Sequence, residues 1–220
     1  MKFFLDSAMT DQIKYAHEMW NIDGVTTNPR HVQVSGKPFM TVISEIAEIF
    51  AGTDKPISVE VNPHLDDWNE MVKEGKRLAA MSPNFVIKLP ATEPGFKAVY
   101  ELAADDIKSN LTLVFSAAQA LQAMRMGASY VSPFIGWKES NGEEITHFID
   151  EITMIRNNFG FETEIIVAAA RNARQITNSA VSGADIVTAG MAVFQDGFAH
   201  PYTDVGLGKF QTFWDDTPYE

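Results

Sequence analysis

Short runs rich in Val, Ile, Leu and Phe alternate with longer amphipathic stretches eight times along these 220 residues, and that alternation constrains the fold more than any other feature. Runs of four to six apolar residues are too short for helices, and where they are apolar at nearly every position they fit strands buried on both faces. Lys2 to Leu5 reads as the first strand. A helix follows from Thr10, with Ile13, Ala16, His17 and Trp20 on one face. The strands Ile22 to Val25, Ile57 to Val61 and Phe85 to Leu89 are followed by helices over Pro38 to Phe50, Asp66 to Met81 and Pro94 to Ala104. Asn110 to Phe115, Tyr130 to Phe134, Thr163 to Ala168 and Asp185 to Thr188 complete the strands. Their helices run over Ser116 to Met126, Glu143 to Asn158 (after a longer loop), Arg171 to Val181 and Met191 to Phe198. Eight βα units in one chain predict a single α/β domain, a closed (β/α)8 TIM barrel. An open doubly wound sheet is the runner-up, but no G-x-G-x-x-G loop follows the first strand. From Pro201 a C-terminal helical tail carries Phe210, Phe213 and Trp214 at helical spacing, expected to cap its own barrel or, preferably, to dock on a neighbouring subunit.

Charge and composition narrow the function. With 17 basic against 29 acidic residues the net charge is −12, which disfavours nucleic acid and anionic membranes as partners. There is no cysteine, so disulfides, thiolate metal sites and thiol nucleophiles are excluded. No apolar run approaches a membrane span, and Met1-Lys-Phe-Phe-Leu-Asp6 meets acid too early for a signal peptide. The expectation is a cytoplasmic protein.

On a barrel of this kind catalytic groups gather at the carboxyl ends of the strands. Lys88 ends the apolar run Asn84-Phe-Val-Ile-Lys-Leu-Pro90. A buried lysine must find a carboxylate, reach water or lose its proton, and in the last state it is an amine nucleophile able to form a Schiff base with a carbonyl. Around the same mouth the alternation places Asp6, Thr26, Thr27, Asn28, Glu60, Asn110, Thr112, Ser132, Phe134 and Arg171. Singly, each has a bland reading: Asp6 as a cap, the Thr26-Thr-Asn28 run before Pro29 as turn chemistry, Asn110 as a loop residue closing its own backbone. Jointly they surround one amine with proton shuttles and hydroxyl anchors, which is what imine chemistry requires.

Five segments together carry a family likeness: Phe4-Leu-Asp-Ser7, Gly24-Val-Thr-Thr-Asn-Pro29, Val86-Ile-Lys-Leu-Pro90, Asn110-Leu-Thr-Leu-Val-Phe-Ser116 with Ala118-Gln119, and Val131-Ser-Pro-Phe-Ile-Gly136. The chain resembles the transaldolase family over its whole length, and in size its small branch, which includes the fructose-6-phosphate aldolases. The resemblance implies a class I aldol mechanism on sugar phosphates without metal or cofactor. Lys88 would attack the ketone and Asp6 would move a proton during carbon–carbon cleavage. Glu60, through a water shared with Thr112, would serve the carbinolamine steps. Asn28 and Asn110 would hold hydroxyls of the three-carbon unit, with Ser132 lining the same pocket. A pentameric or decameric homo-oligomeric ring is implied as well.

Finer residues separate transfer from simple cleavage. Where the fructose-6-phosphate aldolases resemble one another in having Gln, Ala and Tyr, this chain has Glu60, Ser132 and Phe134, as in transaldolases. Losing a tyrosine hydroxyl at Phe134 removes a donor that helps water discharge the enamine, so transfer of a dihydroxyacetone unit from fructose 6-phosphate or sedoheptulose 7-phosphate to an aldose phosphate, as in the pentose phosphate pathway, is expected over release of free dihydroxyacetone. The phosphate end departs from the family: Ala169 stands where a serine is common, Trp137 where an arginine is, and Arg30 where a small hydroxyl residue more often follows Asn-Pro. Arg171 remains, with Lys138, Arg174 and Arg30 as nearby sources of charge. These departures lend footing to one rival, a non-catalytic barrel that binds sugar phosphates. The Thr-Thr-Asn-Pro segment argues against another, an aldolase acting on a deoxyribose phosphate. His17, His31, His64, His147 and His200 show no ligand spacing and read as surface or cap residues.

Overall fold

In the computed structural model, which describes residues 1–220, eight parallel strands hydrogen-bond in sequence order and close on themselves. They are β1 (Lys2–Asp6), β2 (Gly24–Thr26), β3 (Ile57–Glu60), β4 (Phe85–Pro90), β5 (Ser109–Val114), β6 (Tyr130–Pro133), β7 (Glu164–Ala170) and β8 (Ile186–Ala189). Outside them lie α1 (Thr10–Trp20), α2 (Pro29–Ser35), α3 (Phe39–Ile49), α4 (Trp68–Ala79), α5 (Glu93–Ala104), α6 (Ala117–Arg125), α7 (Ile135–Ser140), α8 (Thr146–Phe159), α9 (Ala173–Val181) and α10 (Met191–Phe198), with α11 (Pro201–Asp215) last. The chain is a TIM barrel with a C-terminal helix, as its alternation predicts.

The period-two rule of strands sorts the side chains. Leu5, Val25, Ile57, Val59, Ile87, Leu89, Leu111, Val131, Ile165, Val167 and Val187 point outward and are buried under the helices in the main core. The intervening positions point inward. At the amino ends of the strands Phe4, Val86, Tyr130, Ile166 and Ile186 fill the barrel with a separate apolar plug. Two residues further along the same strands stand Asp6, Lys88, Ser132, Ala168 and Thr188, so one step of the pleat separates a dry floor from a polar layer.

Three departures from the sequence reading have local causes. The second strand begins at Gly24 rather than Ile22, because pairing with β1 starts at Phe4↔Gly24. Helix α2 lies where the sequence reading assigns no element, just after the Thr26-Thr-Asn28 run: Asn28 caps it by accepting from the His31 N–H at 3.0 Å, Pro29 takes the first turn, and Gly36 ends it at φ +69°. Helix α7 replaces the loop expected after β6. Its Gly136 packs so closely on β7 that an added Cβ would lie 2.1 Å from the Ala169 carbonyl oxygen and 2.9 Å from Arg171 Nε. The tail does not cap its own barrel, since α11 buries none of its residues and exposes Phe210, Phe213 and Trp214. No helix is long and apolar enough to cross a membrane.

Candidate active site

The polar layer opens into a cavity of about 350 Å³ at the carboxyl end of the barrel. Lys88, 4% exposed, rises from the middle of it. Register pairs Lys88 with Glu60 across β3 and β4, and Lys88 Nζ lies 3.2 Å from Glu60 Oε2 and 2.9 Å from the Thr27 carbonyl oxygen. A neutral amine has two hydrogens and one lone pair. In the neutral form that imine formation requires, the two hydrogens can go to these acceptors, which leaves the lone pair for an electrophile in the cavity.

Asp6 occupies the neighbouring wall. Its Oδ1 accepts from Thr26 Oγ1 at 2.8 Å, and Thr26 in turn lies 2.6 Å from Thr188 Oγ1. Its Oδ2 lies 3.1 Å from His31 Nε2. Burial pushes the Asp6 carboxyl up, but the hydrogen bond and charge of His31, the Lys88 ammonium and the Thr26 hydroxyl together outweigh it, so the group titrates below its ordinary value and is a carboxylate at neutral pH.

A second polar chain runs below. Asn110 Nδ2 donates to Ser58 Oγ at 3.1 Å, and Ser132 Oγ donates to Asn110 Oδ1 at 2.8 Å. Thr112 Oγ1 is buried against the cavity with no hydrogen-bond partner, an unsatisfied hydroxyl that a bound water or substrate oxygen would complete. Two bulges shape this wall. The register shifts between Leu111 and Val114 on β5 and between Val167 and Ala170 on β7, and each bulge holds a non-glycine residue in the left-handed region, Leu113 at φ +58° and Ala169 at φ +60°. That conformation costs roughly 1–2 kcal/mol per residue. In return, consecutive residues face the cavity: Thr112 with Leu113, and Ala168 through Arg171.

The mouth is lined by Arg30 of α2, Trp137 of α7 and Arg171, which follows β7. Trp137 is half exposed and forms a cluster with Phe115 and Phe134, its ring stacked on the first at 5.8 Å and set edge-on to the second at 5.7 Å. An Arg171 guanidinium nitrogen bonds the Ser140 hydroxyl, while the Arg171 backbone N–H donates to Gln175 Oε1 at 2.6 Å.

Most residues expected from the sequence therefore meet at one cavity: Asp6, Thr26, Asn28, Glu60, Lys88, Thr112, Ser132, Phe134 and Arg171 line it. Thr27 and Asn110 stand one layer back. The Thr27 hydroxyl is spent on the Ser58 carbonyl at 2.8 Å, and Asn110 is wholly buried between two serines. Of the spare cations, Arg30 reaches the cavity, whereas Lys138 is bound to Glu143 and to the Phe115 carbonyl. His31 is the residue the sequence reading missed. The sequence reading sets it aside with the other histidines as a surface or cap residue, whereas its Nε2 lies 3.1 Å from Asp6 Oδ2; the only available signal is its position in the first turn after Asn-Pro. No group of three or more metal-ligating side chains is present.

The structure is a closed parallel barrel with a buried, strand-borne lysine paired to Glu60 and with Asp6 lining the same cavity. The chain belongs to the transaldolase/fructose-6-phosphate aldolase family, whose model matches residues 3–217. It is 54% identical to the 6-deoxy-6-sulfo-D-fructose transaldolases of Priestia aryabhattai and Priestia megaterium, over all of this chain and 98% of each relative. It is 45% identical to a protein of Geotalea uraniireducens named "Probable transaldolase", over 99% of this chain and all of the relative. The chain is accordingly an enzyme of transaldolase type.

Proposed function

We propose that the enzyme transfers a dihydroxyacetone unit from 6-deoxy-6-sulfofructose to an aldose phosphate through a Schiff base at Lys88. The gathering of Arg30, Trp137 and Arg171 at the mouth of the cavity that holds Lys88 carries this reading. Two guanidinium groups and an indole N–H offer donors to a three-oxygen anion, and the aromatic wall suits the weakly hydrated, singly charged sulfonate. The kinship with sulfofructose transaldolases supports the same choice of donor.

The reaction then runs as follows. Lys88 Nζ attacks the ketone carbon, and Glu60, paired with the amine, takes its proton and returns one to the departing hydroxyl, with Thr112 holding the water. The resulting iminium is the electron sink, so the reaction needs no other. Asp6 accepts the proton of the C4 hydroxyl as the C3–C4 bond breaks; the electron pair passes to the iminium, leaving an enamine on Lys88 and releasing the three-carbon aldehyde that bears the sulfonate. The enamine attacks the aldehyde carbon of the acceptor, Asp6 returns the proton to the new alkoxide, and water frees the ketose phosphate. Asn28, whose oxygen caps α2, has its amide nitrogen left for a hydroxyl of the three-carbon unit, and the Ser132–Asn110–Ser58 chain backs the same pocket. Phe134 offers no hydroxyl to water, which favours transfer over release of free dihydroxyacetone.

The second reading keeps the chemistry and takes fructose 6-phosphate or sedoheptulose 7-phosphate as donor, as in the pentose phosphate pathway; two guanidiniums also match a phosphate dianion. Competition between the sulfonate and phosphate donors for one acceptor tests the choice. A kcat/KM at least tenfold higher for the sulfonate upholds the first reading, and the reverse ratio upholds the second. Where acceptors are phosphorylated aldoses the enzyme works in the cytoplasm, and the exposed aromatics of α11 favour a homo-oligomeric ring in which that helix seats on the adjacent subunit.

A further inference from the structure

We propose that His31 is a positioning residue for the reaction, holding Asp6 as an oriented carboxylate so that it can take the C4 hydroxyl proton during carbon–carbon cleavage; this rests on the Schiff-base reading above.

The geometry supplies three independent pieces. First, His31 is itself fixed: its backbone N–H is the donor that satisfies the Asn28 cap at 3.0 Å, so the first turn of α2 sets where the imidazole points. Second, His31 Nε2 lies 3.1 Å from Asp6 Oδ2 while Thr26 Oγ1 donates to Oδ1 at 2.8 Å, so each carboxylate oxygen faces one polar group and turning the plane of the carboxylate would give up both contacts. Third, His31 and Asp6 together form the partition between the catalytic cavity and a second one lined by Ser7, Gln12 and Met191, which places the pair within reach of solvent.

A base aimed by two donors is weaker but correctly placed, and misplacement of a catalytic group by about 1 Å costs on the order of 100-fold in rate. The titratable and charged groups that share the cavity with Asp6 are His31 and Arg30 from α2, Glu60 from β3, Lys88 from β4 and Arg171 after β7. Of these, His31 and Lys88 favour its ionised form. Removing His31 takes away one of the groups that favour the carboxylate, so the Asp6 value rises. Since cleavage requires the ionised carboxylate, the acid limb of the kcat profile moves to higher pH.

The test compares wild type, His31→Leu and His31→Gln in two assays: borohydride trapping of dihydroxyacetone on Lys88, which needs no carbon–carbon cleavage, and the pH profile of donor cleavage coupled to transfer. We expect His31→Leu to trap within about twofold of wild type, to lose on the order of 10- to 100-fold in kcat, and to shift the acid limb upward. His31→Gln, which retains an N–H near the Nε2 position, restores most of the rate. The proposal is overturned if His31→Leu cleaves like wild type with an unmoved acid limb. It is equally overturned if trapping and cleavage fall together and His31→Gln rescues neither, the signature of a purely structural residue. A wild type that forms no adduct removes the Schiff-base reading and this one with it; a wild type that traps normally isolates the question of His31.

Discussion

The two ends of the cavity around Lys88 are built differently. At the amine end Asp6, Glu60, Lys88 and Thr112 project from strands whose direction the barrel's hydrogen-bond ladder dictates, and Lys88 is only 4% exposed. At the end proposed to take the anion, Arg30, Trp137 and Arg171 sit on a short helix, another short helix and a loop, and Trp137 is 51% exposed. Groups that must meet a reacting bond within a few tenths of an ångström gain from rigid strands, whereas groups that recognise a charged tail tolerate the freedom of loops and can change without disturbing the barrel. This chain shows the consequence: Asp6, Glu60, Lys88 and Thr112, which match the family, lie on the strands, and its departures, Arg30, Trp137 and Ala169, lie beyond them or at a bulge.

That division is open to measurement. Replacing Lys88 with Ala should abolish both the borohydride-trapped adduct and transfer, and a residual adduct elsewhere in the chain would unseat the amine end altogether. Glu60→Gln should lower the rate of imine formation by about 100-fold or more, the usual range for a positioned acid–base group; rapid trapping kinetics with dihydroxyacetone reads it directly. Arg171→Ala should raise KM for anionic donors by roughly 10- to 100-fold, matching about 1.5–3 kcal/mol for a charge-assisted hydrogen bond, yet leave trapping of uncharged dihydroxyacetone nearly unchanged. Equal loss of both would mean that the two ends are not separable. Phe134→Tyr, at the border between them, should produce the smallest effect, a few-fold rise in dihydroxyacetone released when no acceptor aldehyde is supplied; product analysis by chromatography decides it.

Legibility in the sequence follows the same border. The alternation of strands, the inward aim of Lys88 and the presence of Asp6 and Glu60 beside it were readable because strand parity is local: once Phe4 and Val86 face the plug, Asp6 and Lys88 two residues later must face the cavity. Helix α2 is signalled by Asn28, Pro29 and Gly36 but is not assigned from the sequence, since seven residues hold too little periodicity to stand out. Thr27 illustrates the opposite error. It lies in the most recognisable motif of the chain, yet its hydroxyl turns to the Ser58 carbonyl and only its own carbonyl touches Lys88.

By itself the amino-acid order determined the barrel, its polar layer and the inward-facing lysine, because each arises from a repeat of two or of three to four residues that needs no distant partner. The folded structure alone decided that His31 would meet Asp6, that Arg30 and not Lys138 would face the cavity, and that α11 would leave its aromatics uncovered by its own barrel. Those outcomes depend on how helices and loops pack across the rim, where direction is set by neighbours far away in the chain.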